Sequence, residues 1–231
     1  MRTETVNIYE FVELTPEIQE KIINKFREDN VTVDYGWYQF SIDDYSENFL
    51  NKMGFENTDI EFSGFWSQGY GASFTCDQYD HQRILDTLFL CHEGQFNHFY
   101  KDKNDLRFQA ELKKWRLRAE LIENGFLHFH VYRIDNHYSH KHTITAEAVE
   151  DFGGLTHKCY KTEKGAWTSI FEEKCQIQEL SDMFECWVKD LCDEIYSSLE
   201  KEYEYLTSDG YIKEFIIDNE YEFTEEGEIW P

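Results

Sequence analysis

The sequence predicts an α+β fold, in which an antiparallel sheet built from two β-hairpins is covered by several helices, including one long C-terminal amphipathic helix. Aromatic residues make up 17% of the chain and only 2 residues are Pro, a balance that favours a packed core. Two segments alternate as paired strands, and apolar residues recur at helical spacing in others. We expect a single domain over residues 1–231, with an acidic helical part from about residue 172.

The first predicted helix begins where Thr15 can act as N-cap and Pro16 can occupy the first helical position, which needs no N–H partner. Further helices are predicted over residues 41–53, 82–91 and 105–124. Gly54 and Gly125 should end two of them, since glycine readily adopts the left-handed conformation that closes a helix.

The first hairpin is predicted over residues 59–76, with its turn inside the text GFWSQGYG. Gly64, Gly69 and Gly71 fall within eight residues of this segment. Glycine weakens a strand, so this density predicts a bulge, a left-handed turn or close packing against the backbone.

The second hairpin is predicted from strands over 126–135 and 142–150, joined by a polar loop. Residues 152–167 carry no regular pattern. A long amphipathic helix follows over about 176–204, and 211–217 is predicted as a short helix. The apolar stripe of the long helix comprises Ile177, Leu180, Phe184, Trp187, Leu191, Ile195 and Leu199.

The two hairpin ends supply a candidate ligand site. Trp66 offers a flat stacking wall, and the glycines would let a ligand approach the backbone. The second hairpin adds a guanidinium, imidazoles and hydroxyls that suit a phosphate or carboxylate. The candidate ligand-binding residues are Ser63, Trp66, Ser67, Gln68, Arg133, His137, Tyr138 and His140. The alternative is a polar turn that braces the neighbouring glycine-rich hairpin.

No catalytic residue, cofactor or metal is predicted. His128 and His130 share a strand face and could contribute to a zinc site, but no HExxH or CxxC frame accompanies them. P-loop, GxGxxG and GxSxG motifs are also missing from the sequence. The six cysteines form no CxxC pair and are interpreted as reduced thiols. The sequence therefore favours a protein that is not an enzyme.

The net charge of −25 repels nucleic-acid phosphates and anionic membranes, so neither is an expected partner. No run of about 18 apolar residues occurs, and the opening MRTETVNIYEF lacks the apolar region of a signal peptide. A soluble intracellular protein is expected. The one basic island, residues 101–118, carries seven bases and three acids.

Most of the negative charge lies in residues 172–231, which carry a net of −15, and the long helix within them is too sparsely charged to copy a DNA duplex. It is either a solvated face of an acidic protein or a surface that docks onto a basic partner. The candidate partner-binding residues are Glu185, Asp193, Glu194, Glu202 and Glu204.

Four stretches of text carry a resemblance to a known family: LTPEIQEKIINKFREDNV, IEFSGFWSQGYGASF, RIDNHYSHKHT and EYEYLTSDGYIKEFIIDNEYEFTEEGEIW. They resemble small proteins of tailed bacteriophages described as antitoxin of toxin–antitoxin stability system, and they span nearly the whole chain. The turn in that family reads SQGDGASF, so Tyr70 stands where Asp is usual. Any charge-dependent role of that Asp would be lost here.

The resemblance implies a phage product in the cytoplasm of an infected bacterium that binds and neutralises a host toxin or immune effector without catalysis. Two alternatives remain open at this point. One is a sponge that sequesters a nucleotide immune signal through Trp66, Arg133 and His137 or His140. The other is a metal-dependent hydrolase.

Overall fold

The structure is a computed structural model that describes residues 7–32, 36–65, 69–99, 104–134, 138–151 and 176–230. The chain divides into two compact units, Met1–Ile42 with Ser197–Pro231, and Asp43–Tyr196. We call them the terminal unit and the central unit. The single domain expected from the sequence stays a prediction.

The α+β class is confirmed. The described helices and strands are β1 (Tyr9–Glu10), α1 (Pro16–Thr32), α2 (Gln39–Asp44), β2 (Phe55–Phe62), β3 (Ala72–Tyr79), α3 (His81–Phe99), α4 (Leu106–Glu123), β4 (Leu127–Arg133), β5 (Ile144–Glu150), α5 (Ile177–Leu206), α6 (Asp209–Asp218) and β6 (Glu222–Phe223). Within these residues, no helix combines the length and apolar character needed to cross a bilayer.

The terminal unit packs α1 against α6, with the short β1–β6 ladder beside them. Helix α1 begins at Pro16, as predicted, and Ser208 caps α6 by accepting a hydrogen bond from the Tyr211 N–H at 3.2 Å. Burial of apolar side chains from both helices and both strands stabilises this unit. Its buried core comprises Phe11, Leu14, Ile22, Ile23, Phe26, Ile212, Ile216 and Phe223.

The predicted helix over 41–53 is a composite. Helix α2 leads into a wider π-helical turn over Tyr45–Leu50 and a tighter 3-10 turn over Asn51–Met53. Gly54 ends it with φ +102°, as its position in the sequence predicted. A Cβ at Gly54 would lie 2.7 Å from the Asp80 carbonyl oxygen, so glycine is also required by close packing.

Both predicted hairpins are present, as the antiparallel pairs β2–β3 and β4–β5. They form separate two-stranded sheets and are not joined into one sheet by a backbone ladder. Side chains replace that ladder along β4. The Tyr79 hydroxyl accepts from the Val131 N–H at 2.9 Å and donates to the Val131 carbonyl at 3.1 Å, while His81 Nδ1 accepts from the Phe129 N–H at 3.2 Å. These backbone groups of β4 are therefore satisfied without a third strand.

Helix α5 supplies the central unit with Leu180, Phe184, Val188, Leu191 and Ile195, all of them buried. Phe184 packs against Phe129 with ring centroids 4.7 Å apart. The apolar stripe predicted for this helix is confirmed. Helices α3 and α6 extend beyond their predicted bounds, whereas the loop predicted over 152–167 lies outside the described residues.

Candidate functional site

The ends of the two hairpins meet, as the shared site required. The Ser63 hydroxyl donates toward the Ser139 carbonyl at 3.3 Å, and the Ser63 N–H donates to the Gly71 carbonyl at 3.1 Å. A Cβ at Gly71 would collide with the His140 side chain and lie 3.0 Å from the His140 Cα. Gly71 is thus required where one hairpin end packs against the other.

A second close approach involves Gly69, which has φ +86°. A Cβ there would lie 3.3 Å from the Tyr138 ring. The glycine density noted in the sequence therefore has a structural cause at both positions. This contact favours the interpretation in which the loop containing Tyr138 and His140 braces the glycine-rich turn.

Arg133 forms an ion pair with Glu61, to which the Ser139 hydroxyl also donates a hydrogen bond at 2.9 Å. Burial raises the pKa of Glu61, but the hydrogen bonds from Ser139 and Arg133 and the Arg133 charge outweigh it and lower that pKa. The other guanidinium nitrogen, Arg133 Nη2, is buried and has no hydrogen-bond partner. The Glu61 carboxylate therefore holds Arg133 in place, while its Nη2 makes no hydrogen bond to the residues that the structure describes.

The loop after Arg133 is ordered by its own polar groups. His140 Nδ1 accepts from the His142 N–H at 3.0 Å, and the Thr143 hydroxyl donates to the His140 carbonyl at 2.7 Å. Because Nδ1 of His140 accepts, its proton resides on Nε2 when the ring is neutral. The ring orientation of His140 is therefore fixed within the loop.

A groove of about 330 Å³ opens beside these hairpin ends in the central unit. His140, Lys141 and His142 line one side of it, and Tyr70 and Tyr196 also contribute. Lys141 already pairs with Asp193, at 2.6 Å, and this hydrogen bond raises the pKa of Lys141. Asp193 lines the groove as well, so its lining combines two imidazoles with one ammonium group and the carboxylate that pairs with it.

Four predicted ligand residues, Trp66, Ser67, Gln68 and His137, lie outside the described residues. The remaining four, Ser63, Arg133, Tyr138 and His140, are brought together at the hairpin ends. Each of them makes contacts within the fold.

The predicted partner-binding acids differ in their surroundings. Glu185 bonds Lys189 at 2.7 Å, one turn along α5, and Asp193 pairs with Lys141. Glu194 and Glu204 are exposed. Glu202 is half-buried and lines a groove in the terminal unit.

That groove, which was not predicted from the sequence, has a volume of about 690 Å³. We call it the aromatic groove. The rings that line it are Phe26, Trp37, Phe40, Tyr211, Phe215 and Tyr221, and its carboxylates are Asp29 and Glu202. The high aromatic content was the only signal of it in the sequence, because its walls come from distant segments.

The hydrogen-bonded pair of His81 and His128 was also not predicted from the sequence. His81 Nδ1 accepts the Phe129 N–H, so the hydrogen-bonding pattern assigns its proton to Nε2, which faces His128 Nδ1 at 3.3 Å. His128 Nε2 in turn lies 3.0 Å from the Gly125 carbonyl and donates to it. Burial, followed by the charges of His128 and His130, lowers the pKa of His81 to about 4.

Hydrogen bonds occupy the ring nitrogens of His81 and His128 that a metal ion would need as ligands. Across the described part of the chain, no group of three or more His, Cys, Asp or Glu side chains is placed to hold a metal ion. These residues therefore offer no support for the metal-dependent hydrolase.

Two bases of the basic island, Lys114 and Arg118, are buried on α4. Arg118 is 1% exposed and lies 4.7 Å over the Trp115 ring, and Lys114 is 8% exposed. Both cations pair with Glu179 at the start of α5, at 3.2 and 2.9 Å. Burial raises the pKa of Glu179, but the two cations outweigh it and lower that pKa. Lys114 and Arg118 therefore join two helices, whereas Arg107, Lys113 and Arg116 of the same island are exposed.

Residues 37–209 match the model of one protein family, the Domain of unknown function (DUF8835), and the chain belongs to that family. The match covers the whole central unit and both hairpin ends. No curated protein and no solved structure matches the chain.

Proposed function

We propose that this member of the DUF8835 family acts by binding another protein: a phage-encoded, non-catalytic anti-defence or antitoxin-like factor that neutralises a host toxin or immune effector in the cytoplasm of the infected bacterium. The observation that carries the proposal is the exposed acidic face of α5. Its outward-facing acids are Asp182, Asp190, Asp193, Glu194 and Glu204.

Their spacings along the helix, 8, 3, 1 and 10 residues, place these acids on one side of it at 3.6 residues per turn, opposite the apolar stripe. Helix α5 carries nine acids and two lysines in 30 residues. Such a surface attracts a basic partner and accelerates its association, with a strong dependence on salt.

The contacts of the hairpin ends point in the same direction. Arg133, Ser139 and His140 are held by internal partners, and Gly71 is required by packing. Because these residues brace the fold, the exposed acids of α5 are the surface that we assign to the partner.

The test is affinity purification of the tagged protein from lysate of infected cells, with mass spectrometry of whatever is retained. A variant with Asp190→Asn, Glu194→Gln and Glu204→Gln removes three exposed charges from α5. The matched control, Glu17→Gln, Glu20→Gln and Glu120→Gln, removes three exposed charges elsewhere.

We expect the wild type and the control to retain the same host protein and the α5 variant to lose it. The isolated host protein should then be inhibited by the wild type in its own activity assay. Retention of no host protein, or equal retention by all three forms, contradicts the proposal.

A second candidate is the sponge for a nucleotide immune signal. The groove beside His140, Lys141 and His142 favours it. Calorimetric titration with cyclic nucleotides and ADP-ribose derivatives tests it. Binding that is lost in His140→Ala supports a sponge, and absence of heat with every nucleotide removes it.

A further inference from the structure

The aromatic groove is built from rings that contact one another within the terminal unit. Phe26 lies 5.3 Å from Tyr221 and 6.3 Å from Phe215 between ring centroids, and Tyr211 stacks on Phe215 at 6.1 Å. These contacts fix the ring faces before any ligand arrives. A preformed aromatic wall loses little side-chain entropy on binding.

The rim of the groove is apolar and open to solvent on one side. Phe40 is 82% exposed, the highest fraction of any ring that lines the groove, and Ile229 is 40% exposed. Exposure of so large a side chain costs hydration free energy that an apolar ligand would recover. The groove therefore has a place for an apolar side chain beside Phe40.

The charged side chains that line the aromatic groove are both acidic. Asp29 and Glu202 line the groove, and neither forms an ion pair with a residue that the structure describes. Burial, the neighbouring Tyr205 and the Glu202 charge raise the pKa of the Tyr211 phenol, consistent with a negative local potential.

The surrounding unit increases this potential. The terminal unit holds 19 Asp and Glu against 6 Lys and Arg, a net of −13, although it contains only a third of the chain. Three of its bases are already paired, Lys21 and Lys25 with Glu228, and Arg27 with Asp209. Aromatic faces and carboxylates together attract cations, because ring faces are electron-rich.

We propose that the aromatic groove binds a peptide segment of a partner protein in which Arg or Lys stands next to a large apolar side chain. This inference rests on the proposed function and adds to the acidic face of α5 a docking site in the terminal unit and the chemistry of the segment that it binds. The cation lies between Asp29 and Glu202 over the rings, and the apolar side chain packs on Phe40. A volume of about 690 Å³ accommodates a few residues of peptide.

Other occupants fit the charge less well. A second copy of the chain would bring another unit of net −13 to the same surface, which opposes association. A nucleic acid would bring phosphates toward Asp29 and Glu202.

The test uses isothermal titration of the full-length protein with three synthetic octapeptides. The first, Gly-Ser-Arg-Phe-Lys-Leu-Ser-Gly, joins cations to apolar side chains. The second replaces Arg and Lys by Glu, and the third replaces Phe and Leu by Ser. We expect binding of the first peptide only, with affinity falling as NaCl rises from about 50 to about 300 mM.

Two variants locate the site. Asp29→Asn with Glu202→Gln should weaken binding of the first peptide about fivefold, and Phe40→Ala should do so by a similar factor. Each has a matched control: Glu17→Gln with Glu20→Gln removes two exposed charges of the same unit, and Val12→Ala trims a side chain that is 63% exposed. The controls should bind as the wild type does.

All variants change side chains at the groove rim or on the surface, and a circular dichroism spectrum equal to that of the wild type establishes their folding. Failure of the first peptide to bind, equal binding of the Glu peptide, or unchanged affinity in both groove variants overturns the inference.

The same variants separate this inference from the proposed function. If the wild type and the groove variants retain equal amounts of one host protein from lysate, the proposed function stands and the groove is not its docking site. If the first peptide binds in the groove but no host protein is retained, the groove inference stands and the proposed function fails.

Discussion

Acid should destabilise this protein through His81. In the folded state Nδ1 of His81 accepts the Phe129 N–H, so protonation there breaks a buried hydrogen bond of β4. His128 and His130 face the same ring, as does the stacked Tyr79, and Asp80 is the one nearby group whose charge raises its pKa. The net result is that the neutral form of His81 is strongly favoured.

The size of the effect follows from the pKa, which lies at about 4 in the folded protein against 6.5 ordinarily. As pH falls, the unfolded chain binds the proton first, so the stability from neutral His81 is complete above pH 6.5 and is lost toward pH 4. At about 1.36 kcal/mol per pKa unit the limit is about 3 kcal/mol. His81 is half-buried, and with solvent screening we expect about 1 kcal/mol between pH 7 and pH 5.

The assay is urea unfolding, followed by circular dichroism at both pH values, of the wild type and His81→Asn. Asn keeps an acceptor for the Phe129 N–H but does not titrate, so protonation of the many carboxylates cancels in the comparison. The free energy of unfolding of the wild type should fall by about 1 kcal/mol more than that of the variant. A control, His142→Asn, removes an exposed histidine and should follow the wild type. Equal losses in the wild type and His81→Asn would refute the reasoning.

Three further outcomes are expected. Gly71→Ala should lower the free energy of unfolding by about 2 kcal/mol, because the new Cβ collides with His140. Gly210→Ala has open space around it and should raise that free energy slightly. Urea unfolding measures both. Glu179→Ala should cost about 2 kcal/mol by leaving two buried cations of α4 without a shared carboxylate, while Asp182→Ala on the same helix should cost under about 0.5 kcal/mol in the same assay. Burial raises the pKa of the Cys192 thiol to about 12, so iodoacetamide should leave it unmodified in the folded protein while it labels the exposed Cys186. Peptide mass spectrometry measures both, and equal labelling would contradict the burial of Cys192.

Local signals were enough to place α1, the two hairpins and α5, but not β1, β6 or the end of α3. Pro16 marks the start of α1, Gly54 and Gly125 mark helix ends, and the periodicity of α5 identifies its buried face. Such signals act within one element, because capping, turn conformation and side-chain direction depend on neighbours a few residues apart. The glycine-rich hairpin end was recognised as unusual for the same reason, and the polar loop of the second hairpin was one of two roles predicted beside it; the contacts at Gly69 and Gly71 favour that bracing role.

The uses of the polar side chains depended on long-range packing. Lys114 and Arg118 were part of a basic island in the sequence, yet they are buried against α5 and bonded to Glu179. Tyr79 and His81 carried no signal, but they satisfy the β4 backbone where a third strand was expected.

The sequence by itself determined the α+β class, the two hairpins, the long amphipathic helix and the surplus of acids. Only the tertiary structure decided which charged side chains form ion pairs within the fold and which remain on its surface. Asp29 and Glu202 are far apart in the chain yet line one aromatic groove, whereas Glu61 is committed to Arg133. Periodicity tells which face of an element is buried, but the neighbours across that face are selected by many weak contacts between distant segments, and no local pattern encodes them.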